Sequence, residues 1–162
     1  MYKFLNDNLI TIFFSISSLV LLSAYFIEYF LGYEPCNLCL AGRIPYFLVI
    51  TFSLFFFFFK KFKKIVLILI FMSFVSGSLI AFYHFGVEQN FFNESLVCQI
   101  KSLKSGTSAS ELFQQLGNNK SKSCKDVDFK IFGLSLATIN LFISVILSII
   151  TLNNILKNEK NK

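Results

Sequence analysis

A chain of 162 residues in which 55% of side chains are hydrophobic and 15% charged, with a mean hydropathy of +0.66, is too apolar to be a soluble domain. Its 7 Gly, 2 Pro and 23 Phe exclude collagen-like and disordered classes, and the net charge of +6 comes from lysines beside apolar runs rather than from a basic patch, which argues against nucleic acid as a partner. One integral membrane unit over residues 1–162 is expected, and the even count of four cysteines is compatible with an oxidising compartment.

In chain order, nearly uncharged apolar runs occupy Leu9–Ile27, Ile44–Phe59, Ile65–Phe85 and Ile131–Leu152. Since about 20 residues of helix cross a bilayer, four crossings follow, at about 9–31, 41–59, 65–85 and 131–152, joined on one side by loops at about 32–40 and 86–130. The first run is longer than a signal-peptide core and lacks a small-x-small cleavage site before Glu28, so an uncleaved helix is expected. Pro45 is tolerable near a helix start, which supports a start of the second helix around Cys39 to Gly42, and Lys60, Lys61, Lys63 and Lys64 close its other end. The Phe55–Phe59 stretch reads as lipid-facing, and Asn140 as a hydrogen-bond former between helices.

Four crossings put both termini and the Lys60–Lys64 cluster on one side, with eight lysines against two acids, while the other side balances seven basic residues with seven acids. The positive side faces the cytoplasm, so both termini are expected there and all four cysteines on the outer side or at its boundary. The outer loop at 86–130 is long for a bundle connection. Within it Ser108 to Glu111 fits a capping box, and Leu112, Phe113 and Leu116 ahead of Gly117 predict a short amphipathic helix lying on the membrane or facing a partner.

Cys36-Asn37-Leu38-Cys39 has the C-x-x-C spacing of thiol–disulfide exchange; as a staple its ring is too short to restrict much chain entropy. With the second helix starting near Cys39, unpaired N–H groups and Arg43 one turn further on would favour a Cys39 thiolate. Cys98 and Cys124, separated by 25 residues, suit a staple or an exchange couple equally, and their wide spacing argues against a zinc site, so no metal is expected. Arg43 and His84 are ionisable residues at the outer helix ends; with Cys39 they could surround a flat apolar molecule bearing carbonyls, such as a quinone, Arg43 bonding an oxygen and His84 donating or relaying a proton.

The stretch Pro35-Cys36-Asn37-Leu38-Cys39-Leu40-Ala41-Gly42-Arg43-Ile44-Pro45-Tyr46 resembles the P-C-x-L-C-x-x-Q-R-x-P-Y segment of the bacterial disulfide bond formation protein B (DsbB) family. Tyr83-His84-Phe85-Gly86-Val87-Glu88 resembles the family's Y-H-x-G-V-E segment, and Phe132 to Ala137 its entry to the last helix; Gly42 stands where the family commonly has Gln or Glu. The resemblance implies an all-α bundle of four transmembrane helices in the bacterial inner membrane. Its activity would be that of a thiol:quinone oxidoreductase, which re-oxidises a periplasmic DsbA-like thioredoxin-fold partner and passes the electrons to ubiquinone or menaquinone. It further implies that Cys36, Cys39, Cys98 and Cys124 are catalytic. The partner would attack a Cys98–Cys124 disulfide, a Cys36–Cys124 bridge would form in passing, and Cys39 would meet the quinone beside Arg43 and His84. A paralogue serving another thiol partner and a non-catalytic protein with structural disulfides are the rival expectations.

Overall fold

The computed structural model describes residues 2–33, 35–93, 98, 130–131 and 134–160. Helix α1 (Tyr2–Tyr29) ends where Gly32 takes φ +71°, a backbone setting that glycine adopts freely and that lets the Tyr33 N–H reach back to the Ile27 carbonyl at 3.4 Å. A one-turn helix α2 (Asn37–Ala41) follows, then α3 (Ile44–Phe58) with Pro45 in its first turn, where a missing N–H costs nothing. A 3-10 turn at Lys60–Phe62 leads into α4 (Lys63–Glu88). Strands β1 (Lys130–Ile131) and β2 (Leu134–Ser135) pair antiparallel, Lys130 opposite Ser135, and α5 (Leu136–Lys160) completes the chain.

Among the described residues, four helical stretches are long and apolar enough to cross a membrane: Asn8–Tyr29, Asn37–Phe58, Lys60–Glu88 and Leu136–Lys157. The chain is therefore an all-α, multi-pass membrane protein, as its hydropathy predicts. Two expected boundaries change. The last crossing begins at Leu136 rather than near residue 131, because Lys130 to Ser135 carry the hairpin; the second begins at Asn37, so the expected loop at 32–40 shortens. The amphipathic helix expected at Ser108 to Gly117 lies outside the described residues.

Helix α3 packs between α1 and α4, and α4 packs most extensively on α5. The core between them joins Phe13 of α1, Val49 and Phe56 of α3, Ile70 and Phe74 of α4 and Leu147 of α5, with the Phe13 and Phe74 rings edge to face at 5.5 Å. Lipid is as apolar as these side chains, so close approach and interhelical hydrogen bonds carry the association. Gly77 supplies the first: a Cβ there would lie 3.3 Å from the Pro45 Cβ. Tyr46 supplies the second, donating to Asn140 Oδ1 at 2.5 Å with Ser144 Oγ at 3.1 Å, which is the interhelical bond expected of Asn140. In the Phe55–Phe59 run, Phe55, Phe57, Phe58 and Phe59 face outward as expected, whereas Phe56 is turned into the core at 2% exposure.

Candidate active site

The site starts from the first turn of α2. Cys36 is the N-cap, with extended backbone (φ −72°, ψ 165°), and its Sγ accepts from the Cys39 backbone N–H at 3.3 Å in the way a serine oxygen caps a helix. The C-x-x-C spacing therefore puts the second cysteine at the position whose N–H the first one satisfies, and the two sulfurs lie 2.9 Å apart as free thiols. From α4, His84 brings Nε2 to 3.6 Å from Cys36 Sγ. Leu38, Val87 and the buried Cys98 cover the cluster, with Tyr83 packed against it. Cys98 is disulfide-bonded, and Cys124 lies outside the described residues.

Three polar contacts converge on the Cys36 sulfur: the Cys39 sulfur at 2.9 Å, the Cys39 backbone N–H at 3.3 Å and His84 Nε2 at 3.6 Å. The hydrogen bond from the Cys39 thiol, then the His84 ring, and the Cys39 N–H hold the Cys36 thiol down at about 4 against the opposing effect of burial. This corrects the expectation that Cys39 is the anion. Because α2 starts at Asn37 instead of near Cys39, Cys36 occupies the capping position and Cys39 becomes its donor. Arg43 does not reinforce Cys39 either; it turns to α1, paired with Glu28 at 2.5 Å and stacked over the Tyr25 ring at 4.9 Å.

His84 has a second neighbour that sequence reasoning missed. Glu88, one turn further along α4, places Oε1 3.6 Å from the same Nε2, and its side chain is only 6% exposed. Its other oxygen accepts from Ser135 Oγ at 2.5 Å. Ser135 in turn caps α5, its Oγ accepting from the Thr138 N–H at 3.2 Å and lying 2.9 Å from the Thr138 hydroxyl. The i, i+4 spacing of His84 and Glu88 on a helix signals the first contact; nothing in the sequence signals the second, which joins residues 47 apart. Glu28 was likewise visible only as an acid.

The structure thus unites Cys36, Cys39 and His84, while the Arg43 side chain meets Glu28 and Tyr25 of α1. The three donor atoms of the first group lie within 4.8 Å of one another. The two sulfurs, at 2.9 Å, stand closer than the about 3.8 Å that two thiolates on one tetrahedral zinc ion with Zn–S bonds of about 2.3 Å would take. At Gly42 a Cβ would meet Asn140 Nδ2 at 3.4 Å: the amide of α5 lies against the position where a longer side chain would otherwise project.

A family model described as "Disulfide bond formation protein DsbB" matches residues 6–153. The chain belongs to the DsbB family. It is similar, at 34% identity over 149 residues, to "Uncharacterized protein RP370" of Rickettsia prowazekii (strain Madrid E), an alignment covering 91% of this chain and 84% of that one. No solved structure matches. The span matched by the DsbB model contains the C-x-x-C turn, the His84–Glu88 segment and the entry to α5, the three parts that meet at the thiol site.

Proposed function

We propose that this DsbB-family protein is a thiol:quinone oxidoreductase of the bacterial inner membrane, with both termini cytoplasmic, that re-oxidises a periplasmic DsbA-like dithiol partner and passes the electrons to ubiquinone or menaquinone. The observation that carries the reading is the geometry of the free thiols: a C-x-x-C pair 2.9 Å apart, one sulfur held anionic, beside a buried histidine at the mouth of a membrane helix. A static staple has no use for an anion-stabilising shell, whereas a thiolate is the attacking species in exchange. The eight lysines beside two acids on the side of the termini support the orientation.

In this reading a partner thiolate attacks Cys98 of a Cys98–Cys124 disulfide, and the mixed disulfide is released by the partner's second thiol. The reduced outer pair then attacks the Cys36–Cys39 disulfide by way of a Cys36–Cys124 bridge. While Cys36 is engaged there, Cys39 is the sulfur free to face the electron acceptor. A bound quinone would take up the two electrons and two protons that the dithiol releases as its disulfide re-forms.

The residues present suit such a ligand. Among the described residues one guanidinium nitrogen of Arg43 bonds Glu28, a further N–H could meet a carbonyl oxygen, and Tyr25 offers a flat ring next to it. Leu40, Ile44 and Phe47, on the turns around Arg43, are exposed on the apolar surface, where a molecule dissolved in lipid can reach them. Arg43 would orient an oxygen, and His84 would hold or move a proton at Nε2.

Mixing the detergent-solubilised protein with a reduced DsbA-type partner and a soluble quinone analogue tests the proposal. Quinone absorbance should fall catalytically, and Cys39→Ser, still folded by its melting transition, should abolish turnover. Absence of turnover with benzoquinone and naphthoquinone analogues and several partners would leave structural disulfides as the reading. Turnover with a different reduced dithiol protein would point to a specialised paralogue.

A further inference from the structure

Glu88 has no part in the function proposed above, yet among the described residues it is a carboxylate held at both oxygens. A carboxylate with a side chain 6% exposed needs hydrogen bonds or a charged partner to offset its lost hydration. Glu88 has both, on opposite oxygens: Oε2 takes the Ser135 hydroxyl from the start of α5, and Oε1 faces His84 Nε2. Here the nitrogen that faces the carboxylate is the one that faces Cys36, at 3.6 Å in each direction.

We propose that Glu88, clamped by Ser135, is the positioning residue of the thiol site: its carboxylate holds the His84 ring with Nε2 against Cys36, where the ring supports the Cys36 anion. The inference deepens the thiol-oxidoreductase reading and rests on it for its purpose, though not for its test. When Cys36 ionises, its S–H bond breaks as an O–H bond forms on water, and no electrons are exchanged. The carboxylate and the nucleophile face the same ring nitrogen, so Glu88 acts on Cys36 through the ring that stands between them. Because Ser135 also caps α5, the carboxylate is registered to the start of that helix and not merely to its own.

Among the described residues, the titratable groups around Cys36 are Cys39 from α2 and His84, Glu88 and Tyr83 from α4; the Tyr83 hydroxyl is turned away, donating to the Asn93 carbonyl at 3.1 Å. Glu88 therefore reaches Cys36 through His84, and removing its charge should weaken the ring's hold on the Cys36 anion.

The test follows the rate of Cys36 alkylation by iodoacetamide against pH in the full-length, reduced protein in lipid nanodiscs, read at the Cys36 peptide by mass spectrometry. Glu88→Gln should move the midpoint upward by about one unit, a fall of about tenfold in rate on its acid side. Ser135→Ala should move it the same way with a fall of about two- to threefold, as expected for one lost hydrogen bond to a charged group that water can partly replace. Glu88→Asp should restore most of the wild-type profile, which a merely structural loss would not. If Glu88→Gln fails to show a melting transition, the Ser135→Ala profile decides. A midpoint unchanged or lowered in the folded variants overturns the inference. No quinone or partner is present, so the two readings fail separately. A shifted profile in a protein that never reduces quinone would sink the functional reading alone, and turnover with an unshifted profile would sink this one alone.

Discussion

The protonation state of Cys36 sets how the potential of the C-x-x-C couple responds to pH. With Cys36 held at about 4 and Cys39 keeping its proton as the donor to it, reducing the disulfide near neutrality consumes two electrons and one proton. For a two-electron couple a tenfold change in equilibrium constant is about 30 mV, so the midpoint potential should fall by about 30 mV per pH unit between about pH 5 and 8. A dithiol with two ordinary thiols would take up two protons and fall by about twice that. The sign follows from linkage: a lowered thiol stabilises the reduced state above its own midpoint, and the advantage over an ordinary thiol is lost as pH drops through about 4. His84→Ala removes one of the three groups facing Cys36, so its midpoint should rise, lowering the potential by about 30 mV for each unit of that rise and steepening the slope in the acid part of the range. The assay equilibrates the purified protein with glutathione or dithiothreitol buffers at each pH, traps free thiols by alkylation and reads the fraction oxidised at the Cys36–Cys39 peptide. A wild-type slope of about 60 mV per pH unit across that whole range would refute the assignment of the anion to Cys36.

Tyr46→Phe, which removes the hydroxyl shared by Asn140 and Ser144, should cost about 0.6 to 1.7 kcal/mol in a thermal or denaturant titration in micelles, the range seen for interhelical hydrogen bonds in lipid. Glu28→Leu should destabilise the protein by about 2 kcal/mol because Arg43, with its side chain 12% exposed, loses its counter-charge, and adding Arg43→Leu should recover part of that loss. Unchanged stability in the single variant would show the pair to be solvated. At Gly86 a methyl group would overlap the Phe92 ring, so Gly86→Ala should lower the melting temperature by an amount worth about 1 to 2 kcal/mol. Gly86→Ala in a Phe92→Ala background should cost less, and equal costs would mean that the ring simply swings aside.

Hydropathy made the four crossings legible because a membrane span needs little more than length and apolarity, and Pro45 marked the start of α3 because its ring tolerates few other positions. Helix ends were harder. Ile131 and Leu134 read as the start of the last helix because their apolarity suits a strand equally well, and two-residue strands are too short to show alternation. A difference of under one turn in where α2 starts was enough to exchange the roles of Cys36 and Cys39, since capping depends on single positions. Among the site residues, Cys36, Cys39 and His84 were found from chemistry and spacing. Glu28 and Glu88 were not, because a carboxylate's role depends on what stands opposite it. Their partners, Arg43 and Ser135, lie 15 and 47 residues away in sequence.

The local rule that starts α2 also equips the couple to change redox state with little motion. A capping side chain must sit close to the N–H three residues on, so with cysteine as the cap and a second cysteine at that third position, the contact that satisfies the backbone also sets the sulfurs side by side. Forming the disulfide then shortens a 2.9 Å separation to about 2.05 Å, which side-chain torsions can absorb while α2 stays in place. What changes is charge. The bond consumes the anion on Cys36, the group that His84 faces, and His84 and Glu88 are tied through Ser135 to the start of α5. Oxidation and reduction at the C-x-x-C turn should therefore be felt at the α4–α5 junction as an electrostatic change with almost no backbone displacement, and hydrogen exchange at the first turn of α5 should differ between the two redox states in the wild type but not in Glu88→Gln.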